Sequence, residues 1–272
     1  MSERIELRRL LVIGGSDSSG GAGIQGDIKT GAAMGVDVST AITAITAQNS
    51  LGVQAIEPVP TALLCAQISS VCSDIPPHAV KLGMLCDAAR VRAVAKAIET
   101  YELRNVVCDP VLVSTSGSVL LDRHGRAALL SILPLFALLT PNAMEAAALT
   151  GKPVTGPVEL LAAGHALLDH GASAVLLKGG HLGGENSTDV LLQKHASGPL
   201  IFPAPRIQTR NDHGTGCALA TSIASALALG MTLPDAVASG CGFVRAALRQ
   251  SVHLWSGSGR GSMNLLRRFA DQ

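Results

Sequence analysis

The sequence predicts an α/β fold in which helices cover both faces of a mostly parallel β-sheet. Short apolar runs alternate with longer segments of helical period along the chain. Hydrophobic residues make up 47% of the 272 residues and charged residues only 15%, which suits one large buried core. No internal repeat or Pro/Ser-rich linker divides the sequence. We therefore expect a single domain over 1–272, with a small-lobe excursion near 36–58.

The expected strands are apolar runs bounded by Gly, Pro, Asn or Asp, the residues that favour turns. In chain order they are Leu10–Gly14, Val38–Thr43, Ala79–Leu82, Val106–Cys108, Ala137–Leu139, Ala174–Leu177, Val190–Leu192 and Ile201–Pro203. Segments of helical period fill most gaps, and Pro157 and Pro234 stand in opening turns, where proline is tolerated. The predicted helices are Gly23–Met34, Thr61–Cys72, Ala88–Tyr101, Arg123–Leu133, Pro157–Leu168, Thr215–Leu229 and Pro234–Leu248.

The composition argues against several classes of protein. A net charge of +1 and an aromatic content of 2% provide neither a basic stripe nor a stacking platform for nucleic acid. We find no apolar window of membrane-spanning length, and the first residues do not resemble a secretory signal. The 6 cysteines lack the spacing of a zinc site or a redox pair. We expect a cytoplasmic protein that binds neither nucleic acid nor a membrane.

A glycine pair stands at the start of the helix predicted over Thr215–Leu229. The first turn of a helix has unpaired N–H groups and a partial positive charge. Gly214 and Gly216 lack the Cβ atoms that would keep a phosphate or an oxyanion away from those groups. Cys217 stands where the reacting group should lie. The segment Gly214, Thr215 and Gly216 is therefore the candidate anion hole.

A second glycine cluster, residues 14–23, follows the first strand. It contains a match to G-x-G-x-x-G at residues 21–26, but the match begins well beyond the strand. The second predicted strand also ends without the acidic residue that a dinucleotide-binding fold requires. A P-loop is excluded because G-x-x-x-x-G-K-[ST] does not occur. A tight strand-to-helix turn without a ligand remains an alternative for this cluster.

Seven segments, in order along residues from about 10 to 249, resemble one known family. They are Gly14-x-x-Asp17-x-x-Gly20-Gly21-Ala22-Gly23-Ile24-Gln25-x-Asp27-x-Lys29-Thr30, Thr43-Ala44-x-Thr46-Ala47-Gln48-Asn49, Lys81-x-Gly83-Met84-Leu85, Val107-Cys108-Asp109-Pro110-Val111, Thr140-Pro141-Asn142-x-x-Glu145-Ala146, Leu177-Lys178-Gly179-Gly180-His181 and His213-Gly214-Thr215-Gly216-Cys217. The sequence is similar in these segments to the hydroxymethylpyrimidine and phosphomethylpyrimidine kinases of thiamine biosynthesis, which have the ribokinase-like fold.

The resemblance implies a chemistry and a substrate. It implies ATP-dependent phosphorylation of 4-amino-5-hydroxymethyl-2-methylpyrimidine and then of its monophosphate, with Mg²⁺ as the metal. It also implies that Gly15, Asp27, Gln48 and Met84 hold the aminopyrimidine. From the residues alone, Asp27 is equally an exposed carboxylate in the first turns of a helix, and Gln48 an ordinary loop amide.

Polar residues at strand ends and helix starts are the candidates for the phosphate side. Asp109 follows an apolar strand, at the edge where open α/β sheets bind ligands, and is a candidate metal-binding residue. Asn142 and Glu145 are three apart at the start of a helix, so both can hold Mg²⁺ through water. Glu145 is alternatively a helix-capping acid. Lys178, which ends a strand before two glycines, is placed to reach the nucleotide phosphates, as are Gly214 and Gly216.

Cys217 is the candidate general base. Many members of the wider ribokinase-like fold carry aspartate at this position, whereas the kinases resembled here carry cysteine. A helix N-terminus can lower the pKa of a thiol, so we expect Cys217 to be partly thiolate and to accept the hydroxyl proton. The alternative is a small residue that packs the helix start. His181 and His213 have no partner visible in the sequence, and we leave both out of the catalytic set.

The chain also departs from the family pattern. Ser18 replaces a proline, Gly26 and Gly31 replace larger residues, and the tail at 257–265 lacks the usual proline and histidine. The contribution of the tail to the nucleotide side is therefore open. Pyridoxal or pyridoxine kinase is the first alternative function, and a non-catalytic vitamin-binding sensor is the second. Family members are often dimers through the edges of the small lobe, so we expect a homodimer.

Overall fold

A sheet of nine strands runs through the part of the chain that this computed structural model describes, residues 6–114, 117–181, 185–255 and 257–265. The strands are β1 (Arg9–Asp17), β2 (Asp37–Asn49), β3 (Gly52–Pro58), β4 (Ala79–Leu82), β5 (Val106–Cys108), β6 (Leu138–Leu139), β7 (Ala174–Leu177), β8 (Asn186–Gln193) and β9 (Leu200–Pro205). Their spatial order is β3-β2-β1-β4-β5-β6-β7-β8-β9. Pairing is parallel from β2 across to β7 and antiparallel at both ends of the sheet. The prediction of a mostly parallel sheet is confirmed.

Helices connect the strands. They are α1 (Gly23–Ala33), α2 (Thr61–Asp74), α3 (Ala88–Thr100), α4 (Arg123–Ser131), α5 (Ala143–Thr150), α6 (Pro157–Asp169), α7 (Thr215–Ala228) and α8 (Leu233–Ser251). Every predicted helix is present within a few residues of its expected bounds. None of the helices in these ranges is long and apolar enough to cross a lipid bilayer.

Two apolar layers pack on opposite faces of the sheet, because side chains alternate along each strand. On β1, Leu11 and Ile13 face the layer formed with α2 to α6. Leu10 and Val12 face the layer formed with α1, α7 and α8. The prediction of helices on both faces is therefore confirmed, and the ends of the parallel strands stay free to form a site.

The β2–β3 hairpin projects from one end of the sheet. The strand pairing runs from Ala44 opposite Pro58 to Asn49 opposite Gly52. It lies inside the 36–58 interval in which we expect a small lobe. The sequence did not predict β3, because its exposed positions include Gln54 and Glu57 and it lacks a continuous apolar face. The division of the chain into one domain with a small lobe stays a prediction.

Candidate active site

A cavity of about 920 Å³ opens where the parallel strands end. The ends of β1 and β2, the residues after β5 and β7, and the start of α7 all contribute to its wall. It is lined by every residue predicted from the sequence for catalysis, ring binding or metal binding: Gly15, Asp27, Gln48, Met84, Asp109, Asn142, Glu145, Lys178, Gly214, Thr215, Gly216 and Cys217. The structure thus brings these residues together, whereas their individual roles stay predictions.

The helix start at α7 has the geometry expected of an anion hole. Gly214 is the N-cap residue, in the left-handed region with φ of 85°. A Cβ there would also overlap the carbonyl oxygen of Gly21, so only glycine fits. Thr215 anchors the turn by donating from Oγ1 to the carbonyl oxygen of Asp212 at 2.5 Å. A Cβ at Gly216 would lie 3.3 Å from both Asp109 and Lys178, so the first turn of α7 faces those two side chains.

Lys178 joins two carboxylates on the wall opposite α7. Its Nζ lies 2.7 Å from Asp109 Oδ1 and 3.5 Å from Glu145 Oε2. Burial by itself would lower the pKa of Lys178, but the two carboxylates raise it, so the lysine stays charged. Thr140 also contacts Asp109 Oδ1, at 3.3 Å. The cluster carries one more negative charge than positive when both carboxyl groups are ionised.

Glu145 caps α5, as the alternative from the sequence anticipated. Asn142 Oδ1 accepts from the Glu145 N–H at 2.9 Å, and Glu145 Oε2 accepts from the Asn142 N–H at 2.8 Å, which is a capping box. Burial, together with nearby Asp109, raises the pKa of Glu145 to about 7, although Lys178 opposes the shift. The role of both residues at a metal stays a prediction. Among the described residues, no group of three or more His, Cys, Asp or Glu side chains could hold a metal ion.

The thiol of Cys217 behaves differently from the expectation. Burial raises its pKa to about 11, and the carboxylates of Asp27 and Asp109 add to that shift. Lys81 and the N–H of Gly23 oppose it without cancelling it. The expected lowering of the pKa at the helix N-terminus is therefore wrong, because the loss of solvent around the sulfur is the largest influence on the thiol. The thiol is protonated at neutral pH.

The cavity wall also includes the residues predicted to bind the ring, and we call the part around Gly15, Gln48 and Met84 the ring end. A Cβ at Gly15 would come within 2.9 Å of Met84 Sδ, so glycine leaves room for this methionine at the wall. Asp27 is fully buried, with Lys81 Nζ 2.7 Å from Oδ2 and Thr221 Oγ1 donating to Oδ1 at 2.6 Å. The alternative of an exposed carboxylate is therefore wrong. Burial raises the pKa of Asp27, while Asp27 raises that of Lys81 against the effect of burial, and the proton stays on the lysine.

Comparison with known proteins decides the family. Residues 17–264 match the family model described as phosphomethylpyrimidine kinase. The chain belongs to this family. It is 44% identical to a hydroxymethylpyrimidine/phosphomethylpyrimidine kinase of Rhizobium meliloti, with 95% of this chain and 97% of the relative covered. The family assignment from the sequence is thus confirmed, as is the assignment to the kinases.

Two solved structures extend the comparison to the fold. A phosphomethylpyrimidine kinase from Clostridium difficile superposes with a TM-score of 0.78 at 37% identity, covering 89% of this chain and 99% of its own. An ADP complex of Bacillus subtilis pyridoxal kinase superposes with a TM-score of 0.87 at 33% identity, covering 97% of this chain and 100% of its own. The ribokinase-like fold predicted for this family member is confirmed.

The charged residues of the cavity wall that were not predicted as site residues of this phosphomethylpyrimidine kinase family member include Asp17, Lys81 and His213. His213 does have a partner, because its Nε2 lies 2.9 Å from Asp17 Oδ2. A separation of 196 residues hides that pair from the sequence. Lys81 could have been recognised from the sequence, since it is the one charged residue in the otherwise apolar strand β4. The side chain of His181 lies outside the described set.

The divergent tail reaches the cavity. The N–H of His213 donates to the Gly261 carbonyl at 3.1 Å, and the N–H of Arg260 donates to the Ser50 carbonyl at 3.0 Å. Gly259 and Arg260 also line the cavity. A Cβ at Gly21 would overlap Ser262 Oγ, so the tail packs closely on the glycine cluster after β1. The tail thus forms part of the cavity wall beside Ser50, although it lacks the proline and histidine expected there.

Proposed function

We propose that this chain transfers the γ-phosphoryl group of ATP to the hydroxymethyl group of 4-amino-5-hydroxymethyl-2-methylpyrimidine and then to the resulting monophosphate. One observation carries the proposal. The open helix start at Gly214–Gly216 faces Lys178 across a cavity that continues to Gln48 and Met84. A site for a transferring phosphate and a site for a small ring therefore share one continuous space.

The ring end suits a flat heteroaromatic ligand. The Gln48 amide offers both a donor and an acceptor, which match a ring nitrogen and an exocyclic amine. Met84 is almost fully buried and can lie against the face of the ring, in the space that Gly15 leaves open. Asp27, held by Lys81, lines the same cavity and contributes a fixed polar group to its wall.

The phosphate end suits phosphoryl transfer. The hydroxymethyl oxygen attacks the γ-phosphorus, and the bond from that phosphorus to the bridging oxygen of ADP breaks. The N–H groups of the first turn of α7 and the ammonium of Lys178 stabilise the charge on the transferred oxygens. In a loose transition state the hydroxyl proton leaves late, so a weak base suffices. The proton goes to Cys217 in its thiolate form, which is a small fraction at neutral pH, so kcat should rise with pH.

The donor set on the wall fits Mg²⁺. Asp109 and Glu145 supply two buried carboxylates against one lysine, and that excess of negative charge suits a divalent cation bound with a polyphosphate. Asn142 Oδ1 already accepts from the Glu145 N–H, so it would contact the ion through water. When bound, the ion neutralises charge on the phosphates. Lys178 contacts both carboxylates and holds them side by side.

A homodimer across the β2–β3 hairpin and a cytoplasmic location belong to the same proposal. Ile45 and Leu51 on this hairpin are exposed by 56% and 68%, more than apolar side chains usually are. Light scattering coupled to gel filtration measures the assembly, and Ile45→Glu should convert a dimer to a monomer. A monomeric wild type would contradict the dimer and leave the kinase proposal intact.

The proposed activity is tested by coupled ADP release with Mg·ATP. Three substrates are compared in parallel: hydroxymethylpyrimidine, its monophosphate and pyridoxal. We expect turnover of both pyrimidines, with kcat strongly reduced in Cys217→Ala, and no loss in Cys65→Ala, whose exposed thiol lies outside the cavity. Turnover of pyridoxal alone would make the chain a vitamin B6 kinase. Binding without any ADP release would make it a sensor.

A further inference from the structure

Three segments of the chain meet beside the ring end of the cavity. Asp17 ends β1 and pairs with Thr46 of the parallel strand β2, so both strands reach the cavity together. His213 lies just before α7. Its Nε2 atom lies 2.9 Å from Asp17 Oδ2 and 3.2 Å from the atom assigned as Gln48 Nε2. A single ring nitrogen therefore has two polar neighbours.

Asp17 determines the protonation of that nitrogen. Its carboxylate accepts from the N–H of Ser19 at 2.8 Å, from Ser19 Oγ at 2.7 Å and from the N–H of Ala22 at 2.8 Å. Burial alone would raise the pKa of Asp17, but His213 and these donors lower it to about 2. An ionised carboxylate only accepts hydrogen bonds. Nε2 of His213 therefore carries a hydrogen and donates it to Asp17.

This protonation conflicts with an amide nitrogen at the same place, because two donors cannot bond to each other. The oxygen and nitrogen of a glutamine amide are interchangeable by a half-turn, and their hydrogen-bond partners decide between them. With its oxygen toward His213, Gln48 is a second, more distant acceptor of the one Nε2 hydrogen, which it shares with Asp17 in a three-centre hydrogen bond. Its nitrogen then lies 3.4 Å from Thr46 Oγ1. That hydroxyl donates its own hydrogen to the Ser16 carbonyl at 2.8 Å, so its lone pairs accept.

We propose that Asp17, His213 and Thr46 are positioning residues that hold the Gln48 amide in this one orientation and thereby select the ring. The inference rests on the proposed function. In this orientation the amide presents its donor and acceptor in a fixed order, which a 4-aminopyrimidine complements with a ring nitrogen and an exocyclic amine. A 4-oxopyrimidine carries a ring N–H and a carbonyl in the reverse order. Its ring N–H would therefore face the N–H donor of the amide, and its carbonyl would face the amide oxygen.

The backbone of Gln48 is held by a separate contact. Ser18 Oγ donates to the Gln48 carbonyl at 2.8 Å and accepts from the Gln48 N–H at 2.8 Å. This contact places the residue but does not touch its amide. Ser18→Ala is therefore a matched control, since it loosens Gln48 without freeing the amide to rotate.

The test compares kcat and KM for 4-amino-5-hydroxymethyl-2-methylpyrimidine and for its 4-oxo analogue. Removing a partner of the amide, in His213→Leu or Thr46→Val, should lower the preference for the amino ring by about tenfold, through KM for the pyrimidine. KM for ATP should not change. His213→Gln keeps an N–H donor and should retain the preference, as should Ser18→Ala. A role in packing alone would affect the leucine and glutamine variants alike.

Two results would overturn the inference. One is an unchanged preference in both His213→Leu and Thr46→Val. The other is a loss of kcat and of ATP affinity at constant preference, which would place His213 in the anion-hole loop only. If His213→Leu does not fold, the preference between the two rings is measured in Thr46→Val alone. If wild type phosphorylates neither ring, the proposed function fails, and calorimetric titration with the two rings still measures the preference and its dependence on His213.

Discussion

Two lysine–aspartate pairs at the cavity have the same length and different surroundings. Lys81 and Asp27 are 2.7 Å apart, with their side chains exposed by only 1% and 0%. Lys178 and Asp109 are also 2.7 Å apart, but the lysine side chain is 11% exposed and faces the open cavity. The first pair is completed by the neutral Thr221 hydroxyl, and the second by the carboxylate of Glu145.

This difference separates a pair that is complete from one that is poised to bind. The inner pair, Lys81 and Asp27, has balanced charge, and both oxygens of its carboxylate have a hydrogen-bond donor. Its contribution is therefore to the folded structure. The outer pair, Lys178 and Asp109, has Glu145 as an additional carboxyl group, and the pKa of Glu145 is raised. The pair also faces the glycine-containing start of α7. The outer pair and Glu145 can therefore bind both an anion and a cation. The length of an ion pair thus says less about its role than the charge around it does.

The largest effect should come from breaking the inner pair. Lys81→Met leaves the Asp27 carboxylate buried without its counter-ion, which should cost about 3–5 kcal/mol of unfolding free energy. Urea unfolding measures this loss. The double variant with Asp27→Leu should recover most of the stability, since a buried pair can be replaced by apolar side chains at little cost. A loss below 1 kcal/mol in Lys81→Met would contradict the comparison.

The outer pair should show the opposite balance between activity and stability. Lys178→Gln removes a charge that we propose stabilises the transferring phosphate, so kcat should fall by about 10²–10³-fold. Stability should fall less than in Lys81→Met, because Glu145 can take up a proton and water can reach the site. Steady-state kinetics and urea unfolding on the same preparations test both parts. Equal destabilisation in the two variants would remove the distinction drawn between the pairs.

A smaller effect should follow from removing the neutral partner of the inner pair. Thr221→Val deletes the hydroxyl that donates to Asp27 Oδ1, which should lower stability by about 1–3 kcal/mol. Thr30→Val is the control, because the hydroxyl of the equally buried Thr30 donates to the Gly26 carbonyl one helical turn away and not to a carboxylate. We expect it to cost less. If the two threonine variants unfold at the same urea concentration, Thr221 does not complete the pair.

The smallest effect is chemical and leaves the fold intact. Because burial raises the pKa of Cys217 to about 11, its thiolate fraction should grow about tenfold per pH unit between pH 7 and 9. Iodoacetamide labelling followed by peptide mass spectrometry measures that rate. The exposed Cys65, labelled in the same samples, serves as an internal reference. A rate that levels off below pH 9 would restore the lowered pKa expected from the helix terminus.

Local patterns in the sequence predicted the centre of the sheet best. The bounds of β4, β5 and β7 agree with the predicted bounds, because strands buried on both faces are continuous apolar runs between turn residues. β1 continues through Gly14 and Gly15 to Asp17, since pairing with β2 overrides the turn preference of glycine. The short helix α5 was anticipated only at its start, through Asn142 and Glu145.

The sequence predicted those site residues that the sheet topology brings to one edge. It did not predict the contacts that depend on how helices and loops pack over that edge. Asp109 and Lys178 follow parallel strands, whose carboxyl ends must meet at one edge. The contacts of Asp27 with Lys81 and of Asp17 with His213 depend on which helix and loop lie across that edge. The predicted shift in the pKa of Cys217 was wrong in direction for a related reason. A helix terminus is visible in the sequence, whereas the exclusion of solvent is not.

The pairing of Asp17 with His213 across 196 residues has a consequence for how the kinase is made. Asp17 and its glycine-rich loop leave the ribosome early, while their partners before α7 and in the tail are still untranslated. Gly259 likewise closes on Ser50 across 209 residues. The cavity is therefore completed only after the chain has been synthesised as far as its tail. A nascent chain that lacks the tail therefore lacks part of the cavity wall.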